Sequence, residues 1–337
     1  MVIQNSGKEN FFMRIAFFSA KPYDKIWFEP MQKDYGHELR FIELPFTEET
    51  MFLAKGHDAA CIFVNDQVTA KAMEWLSEAG VNVLLLRSAG YNHVDMEAAR
   101  GKLTVLHVPV YSPEAVAEFS MALLLSVNRM THKAYGRTRE FNMNINGLMG
   151  TNLFGKTAGV IGTGRIGQAM VRIFRGFGMR VLAYDPFPEN DLEAEYVELD
   201  RLLAESDFIS LHCPQTKSTW HLINERTISL MKPGVFLVNT SRGGLIDTQA
   251  LLDGLLEGKF GGVGLDVYEE EDGLFYEDRS YEIIQDDNLA RLVTFPNVLI
   301  TSHMGFFTRE AMQAIAEVTL QNASDAELGQ HLKNRVK

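Results

Sequence analysis

The segment VIGTGRIG spaces Gly162, Gly164 and Gly167 as G-x-G-x-x-G, after an apolar run at 157–161 and before a stretch with helical periodicity. Such a turn belongs where a strand feeds a helix in a parallel α/β sheet. Gly162 permits the tight turn, Gly164 lets the backbone approach a pyrophosphate, and Gly167 allows close helix–strand packing. The helix N-terminus offers partial positive charge to phosphates, and Arg165, followed by Ile166, adds a full one. Glycines also occur in bare structural turns, but the flanking strand and helix favour a nucleotide. Asp185 lies 23 positions after Gly162 (185 − 162), ending the next strand in VLAYDP. A carboxylate there accepts from a ribose hydroxyl and repels a 2′-phosphate, which favours NAD over NADP.

Short apolar strands alternating with helices extend this pattern through the chain and predict an α/β fold with parallel sheets. After a polar stretch at 1–12, strand character starts at Met13 and recurs at 61–64, 81–86 and 104–108, with a helix in TAKAMEWLSEAG that stops at Gly80. A long helix is expected from Pro113, behind the cap Ser112, to about Glu140. A second series follows, with strands at 157–161, 180–184, 208–211, 235–239, 262–265 and 298–300. Six such strands make a doubly wound sheet. The tail helix from Thr308 to about Leu328 is assigned back to the first lobe. The expected domains are therefore a discontinuous substrate domain, 1–111 plus 305–337, and a nucleotide-binding domain, 112–304.

At 337 residues the chain exceeds one small core. Forty-four acids against 32 bases give a net charge of −12, with no basic footprint for nucleic acid. Only Cys61 and Cys213 are present, so no disulfide framework exists and a reducing, cytoplasmic compartment fits. The opening residues lack the apolar core of a signal peptide, and the densest apolar run, 119–127, is far too short for a bilayer. Neither a membrane nor a metal partner is expected.

Three residues downstream of the glycine turn carry candidate chemistry. Arg242 follows the strand VFLVNT, and its guanidinium offers the paired donors that clamp a carboxylate. His303 sits just past VLITS, where an imidazole can give a proton to a carbonyl oxygen as hydride reaches the adjacent carbon. A carboxylate beside that histidine would orient it, and Glu269, Glu270 and Glu271 are all candidates. Charge runs are usually solvated, so at least two of the three are expected to be bystanders. Asp266 ends the strand GGVGL, and His212 in LHCP reads as structural.

RSAGYNHVD, VPVYSPEAVAE, KTAGVIGTGRIG, YDPF, SLHCP, NTSRGGLID, LDVYEEE and TSHMGFFT together resemble the D-2-hydroxyacid dehydrogenase family, and within it the fermentative D-lactate dehydrogenase branch. The similarity runs from Met13 onward. It implies two Rossmann-like domains that close over substrate, NAD as cofactor, a homo-oligomer, and NADH-dependent reduction of pyruvate to D-lactate. It places the carboxylate clamp on Arg242 and the acid–base group on His303. Its acid partner stands five positions after Asp266, which selects Glu271. It also implies cofactor contacts from His212, Pro214, Thr240 and Asp266, carboxylate-binding N–H groups at Ala89 and Gly90, and pocket walls from Tyr111 and Phe306. The long stretch from 271 to 303 leans towards lactate rather than glycerate or formate. Met304 and Gly305 depart from the residues expected beside the histidine, and bear on pocket shape. A dehydrogenase for a bulkier 2-keto acid, or a non-catalytic NAD-sensing relative, are the rival expectations.

Overall fold

Strands buried along their whole length form parallel sheets covered on both faces, and several four-residue strands of this chain are of that kind. The computed structural model describes residues 13–189, 191–271 and 273–336, and the polar stretch 1–12 lies outside them. Two units result, Met1–Ser112 with Thr308–Lys337, and Pro113–Phe307.

The first unit contains, in chain order, β1 (Arg14–Phe17), α1 (Pro22–Tyr35), β2 (Glu38–Phe41), β3 (Ala59–Ile62), α2 (Ala70–Glu78), β4 (Val83–Leu86), α3 (Met96–Ala99) and β5 (Thr104–Leu106). All strands pair in parallel in the order β2-β1-β3-β4-β5, a doubly wound arrangement. The last helix of the chain, Arg309–Glu327, returns to this unit: Ser324 Oγ lies 2.9 Å from His37 Nε2, and Asn322 Nδ2 donates to the His107 carbonyl at 2.9 Å. Sequence patterning does not announce α1 or β2. In β2 only Leu39 is buried, as befits an edge strand.

The second unit continues with α4 (Pro113–Arg129), α5 (Thr131–Arg139), β6 (Thr157–Ile161), α6 (Arg165–Gly176), β7 (Arg180–Tyr184), β8 (Glu195–Tyr196), α7 (Leu199–Glu205), β9 (Phe208–Leu211), α8 (Glu225–Leu230), β10 (Val235–Asn239), α9 (Thr248–Leu256), β11 (Phe260–Leu265), α10 (Asp287–Leu292) and β12 (Val298–Ile300). Its sheet runs β12-β11-β10-β9-β6-β7-β8, seven strands rather than six because the two-residue β8 adds an edge. The order reverses between β6 and β9, and ligands of such sheets bind beyond the strands' carboxyl ends at that point. Glycines bring α4 onto the sheet: a Cβ at Gly264 would lie 3.1 Å from Leu123, and one at Gly262 would lie 3.2 Å from Val127.

Two further expectations need correction. The single helix to about Glu140 is broken at Met130, whose φ of 51° is left-handed, and α5 beyond it buries no residue. The domain boundary expected at 304/305 falls instead at Phe307/Thr308, and Ser112 belongs to the first unit. Gly305 N donates to Asp266 Oδ2 at 2.7 Å and Phe307 N to the Met304 carbonyl at 2.8 Å, which ties 305–307 to the second unit.

Candidate active site

Parallel strands align their carboxyl ends along one edge, and in the second unit that edge gathers the candidate residues. The glycine turn follows β6, Asp185 follows β7, His212 follows β9, Arg242 lies three residues past β10, and His303 three past β12. Asp266 is the first residue after β11, and Glu271 follows five later.

The turn's glycines have distinct tasks. Gly162 has φ 92°, and a Cβ there would sit 2.5 Å from Cys213 N, so β9's exit peptide crosses directly over it. A Cβ on Gly167 would strike the Gly162 carbonyl oxygen. Gly164 caps α6 and has open space where its Cβ would be. Asp185 is tied to the same turn, taking Thr163 N–H on Oδ2 at 2.7 Å and Phe187 N–H on Oδ1 at 2.9 Å. Arg165 is exposed in the first turn of α6, where the helix dipole opposes a cation. An anion at that terminus reverses the sign, so the cradle fits a dinucleotide's phosphates. Ile166 is half-buried beside Arg165, and Pro214 is exposed on the β9 side.

His212 Nε2 lies 2.8 Å from Ser210 Oγ, and burial pushes its imidazole down to about 3. It is a neutral ring at working pH. Thr240 is buried, with its hydroxyl 2.6 Å from Ser120 Oγ on α4.

At the other end of the edge, His303 Nδ1 lies 2.8 Å from Glu271 Oε1, with both side chains about 15 % exposed (15 % and 16 %). Glu271 Oε2 accepts from Tyr268 N at 3.0 Å, which fixes the carboxylate. With Nδ1 donating to Glu271, Nε2 is the atom that can carry the reacting proton. His303 itself is strained, at φ 53°. Residues other than glycine hold that conformation only where the surroundings over-determine it. Here His303 N donates to the Asp266 carbonyl at 2.7 Å, its carbonyl accepts from Tyr276 Oη at 2.7 Å, and the Tyr276 ring stacks 6.2 Å from the imidazole.

Asp266 is the anchor of this segment. It is 1 % exposed and accepts from Thr301 Oγ1 at 2.6 Å, Met304 N at 2.9 Å and Gly305 N at 2.7 Å. Burial raises its carboxyl above the ordinary range, while those three donors pull it down. A Cβ at Gly305 would approach Asp266 Oδ2 to 3.0 Å, which accounts for glycine at that position.

Arg242 donates from Nη1 to the Ser241 carbonyl at 2.6 Å. The fully buried Asn239 braces its turn, accepting from Ser241 N at 3.0 Å and donating to the Arg242 carbonyl at 2.8 Å. In the first unit, the Ala89 carbonyl lies 2.9 Å from His107 Nδ1 and the Gly90 carbonyl accepts from Ser88 Oγ at 2.8 Å. Tyr111 and, in the second unit, Phe306 are half-buried. The sequence does not single out the braces Asn239, Thr301 and Tyr276; the first two stand in quoted segments and Tyr276 in the long stretch from 271 to 303, but none carries charge or periodicity to mark it.

The family model for "D-isomer specific 2-hydroxyacid dehydrogenase, NAD binding domain" matches residues 121–305. The chain belongs to the D-isomer specific 2-hydroxyacid dehydrogenase family. A D-lactate dehydrogenase of Escherichia coli (strain K12) is 48% identical over 328 residues, covering 96% of this chain and 100% of that one. The solved pyruvate reductase of Chlamydomonas reinhardtii superposes with a TM-score of 0.91 at 42% identity, covering 96% and 99% of the two chains. A D-lactate dehydrogenase from Lactobacillus jensenii, solved with NAD+, has a TM-score of 0.81 at 29% identity over 96% and 100%. As a 2-hydroxyacid dehydrogenase the protein is an NAD-dependent oxidoreductase, and its second unit is the family's NAD-binding domain. No described helix is long and apolar enough to cross a membrane.

Proposed function

We propose that this dehydrogenase reduces pyruvate to D-lactate with NADH, and runs the reaction in reverse when products dominate. The observation that carries this reading is the His303–Glu271 pair at 2.8 Å, on the same sheet edge as Arg242 and the glycine cradle.

Bound NADH supplies the hydride. The turn from Gly162 to Gly167 with Arg165 and Ile166 would hold its pyrophosphate and Asp185 a ribose hydroxyl, which favours NAD over NADP. His212, Pro214, Thr240 and Asp266 complete the cofactor's surroundings in this proposal. Arg242 holds the keto acid's carboxylate and polarises its carbonyl. His303 gives the Nε2 proton to the keto oxygen, and takes it back in the oxidative direction. Glu271 keeps Nδ1 protonated and the ring in register. Ala89 and Gly90 add backbone donors for the carboxylate, and Tyr111 and Phe306 shape the pocket.

A panel of 2-keto acids with NADH, followed by chiral analysis, tests this. The highest kcat/KM should go to pyruvate and the product should be D-lactate. A clear preference for phenylpyruvate or a branched-chain acid overturns the substrate assignment, and tight NADH binding without turnover favours a sensor.

The protein is further read as a cytoplasmic homo-oligomer. Tyr135, Phe141, Met143, Ile145, Met149 and Phe154 are each at least 65% exposed along α5 and the segment after it, an apolar series suited to a second copy. Sedimentation should report a dimer or larger, and a monomer would refute it.

A further inference from the structure

A second histidine–carboxylate pair lies beside the Arg242 turn. His221 Nε2 is 2.6 Å from Glu269 Oε1, and the other Glu269 oxygen accepts from Thr248 Oγ1 at 2.8 Å and Thr248 N at 3.2 Å. That carboxylate therefore sits at the N-terminus of α9, where the helix dipole favours an anion. Asp247, the helix cap, has Oδ2 3.7 Å from His221 Nδ1. Glu269 was expected to be a solvated bystander; instead its side chain is 17% exposed.

The pair closes around the residues that follow Arg242. On one side, His221 N donates to the Gly244 carbonyl at 2.9 Å and Ile223 N to the Leu245 carbonyl at 2.9 Å. On the other, Gly243 is pressed so closely to the Tyr268–Glu269 peptide that a Cβ would overlap it. The Trp220 ring covers Gly244, where a Cβ would also overlap, and stacks on the imidazole at 4.6 Å and 19°. His221 is itself left-handed, at φ 49°, a conformation held against local preference. Two backbone segments thus flank the Gly243–Gly244 turn, and one side-chain bond joins them across it.

We propose that His221 and Glu269 are positioning residues: their hydrogen bond clasps the turn after Arg242 and sets the guanidinium's aim at the substrate carboxylate. This rests on Arg242 being the carboxylate clamp. The clasp acts on keto acid affinity, whereas Glu271, two residues along the same segment, acts on the proton transfer.

Steady-state kinetics of Glu269→Ala, Glu269→Gln, His221→Leu and Arg242→Lys, with NADH affinity and Tm measured in parallel, decide the matter. Glu269→Ala should raise KM for pyruvate about tenfold, the scale of one charge-assisted hydrogen bond, with kcat held within about twofold. Glu269→Gln, which retains an acceptor for His221, should recover most of the affinity. In an Arg242→Lys background the added Glu269→Ala should raise KM by less than it does alone, because the two act through one contact. Should Glu269→Ala fail to fold, His221→Leu, which has no donor for Glu269, carries the same expectation. Unchanged KM in both overturns the clasp, as does a KM rise matched by equal loss of NADH affinity. If Arg242→Lys leaves KM for pyruvate unchanged, the clamp assignment is what fails, and the clasp falls with it.

Discussion

Glu271 and His303, separated by 32 residues, meet with Oε1 2.8 Å from Nδ1, each held by backbone contacts of its own. The imidazole is thereby oriented before any substrate arrives. Glu271→Gln should lower kcat by about tenfold or more while leaving KM for NADH in place, since a neutral amide still accepts from Nδ1 but withdraws the negative charge that faces the ring as it gives and takes its proton. Combining it with His303→Ala should cost no more than His303→Ala alone, because the two act as a unit. Additive losses, measured by kcat in the double variant, would separate their roles.

Asp185 spends both oxygens on the backbone of the glycine turn and of Phe187, and is expected to receive a ribose hydroxyl as well. Asp185→Ser should weaken NADH binding and narrow the preference over NADPH, read as the ratio of kcat/KM values for the two cofactors. An unchanged ratio removes Asp185 from cofactor selection.

His212 links the nucleotide edge to pH-dependent stability. Its folded value of about 3 lies below the 6.5 of a free imidazole, so on acidification the unfolded chain takes up the proton first. The stabilisation is complete above 6.5 and is lost as pH falls towards 3. Urea titrations at pH 7.5 and 5.5 should show wild type losing roughly 1 kcal/mol more than His212→Asn. Parallel losses in the two proteins contradict this.

Arg87 in the first unit is a buried cation, 3 % exposed, paired with Asp24 (2 % exposed) at 3.1 Å and stacked over Phe17 with its guanidinium carbon 4.1 Å from the ring centroid. Arg87→Met leaves the Asp24 carboxylate buried without its partner and should cost about 3–5 kcal/mol. A shift in urea midpoint corresponding to less than about 1 kcal/mol would contradict the pair's role, with Asp24 finding another partner.

Strong local signals carried most of the second unit. The strands ending at Ile161, Tyr184, Leu211, Asn239 and Ile300 are predominantly apolar runs bounded by turn residues, and the chemistry sits just past their ends. What escaped had weak or no signal. Two-residue β8 is an edge with one half-buried residue, and β2 buries only Leu39. The break at Met130 has neither glycine nor proline to announce it. Glu269, Glu270 and Glu271 are indistinguishable by composition; the family resemblance, which sets the acid five positions after Asp266, selects Glu271, but only tertiary contact separates Glu269 from a solvated acid. Asn239, Thr301 and Tyr276 act through single hydrogen bonds to backbone or side chain, and no periodicity encodes those.

The most direct measurement is the turnover of His303→Ala with pyruvate and NADH, alongside NADH affinity by fluorescence. The predicted result is a kcat lower by roughly 10²–10⁴-fold, the usual share of general acid–base catalysis, with NADH affinity retained. A kcat close to that of wild type would show that the proton comes from elsewhere, and the assignment of His303 would be wrong.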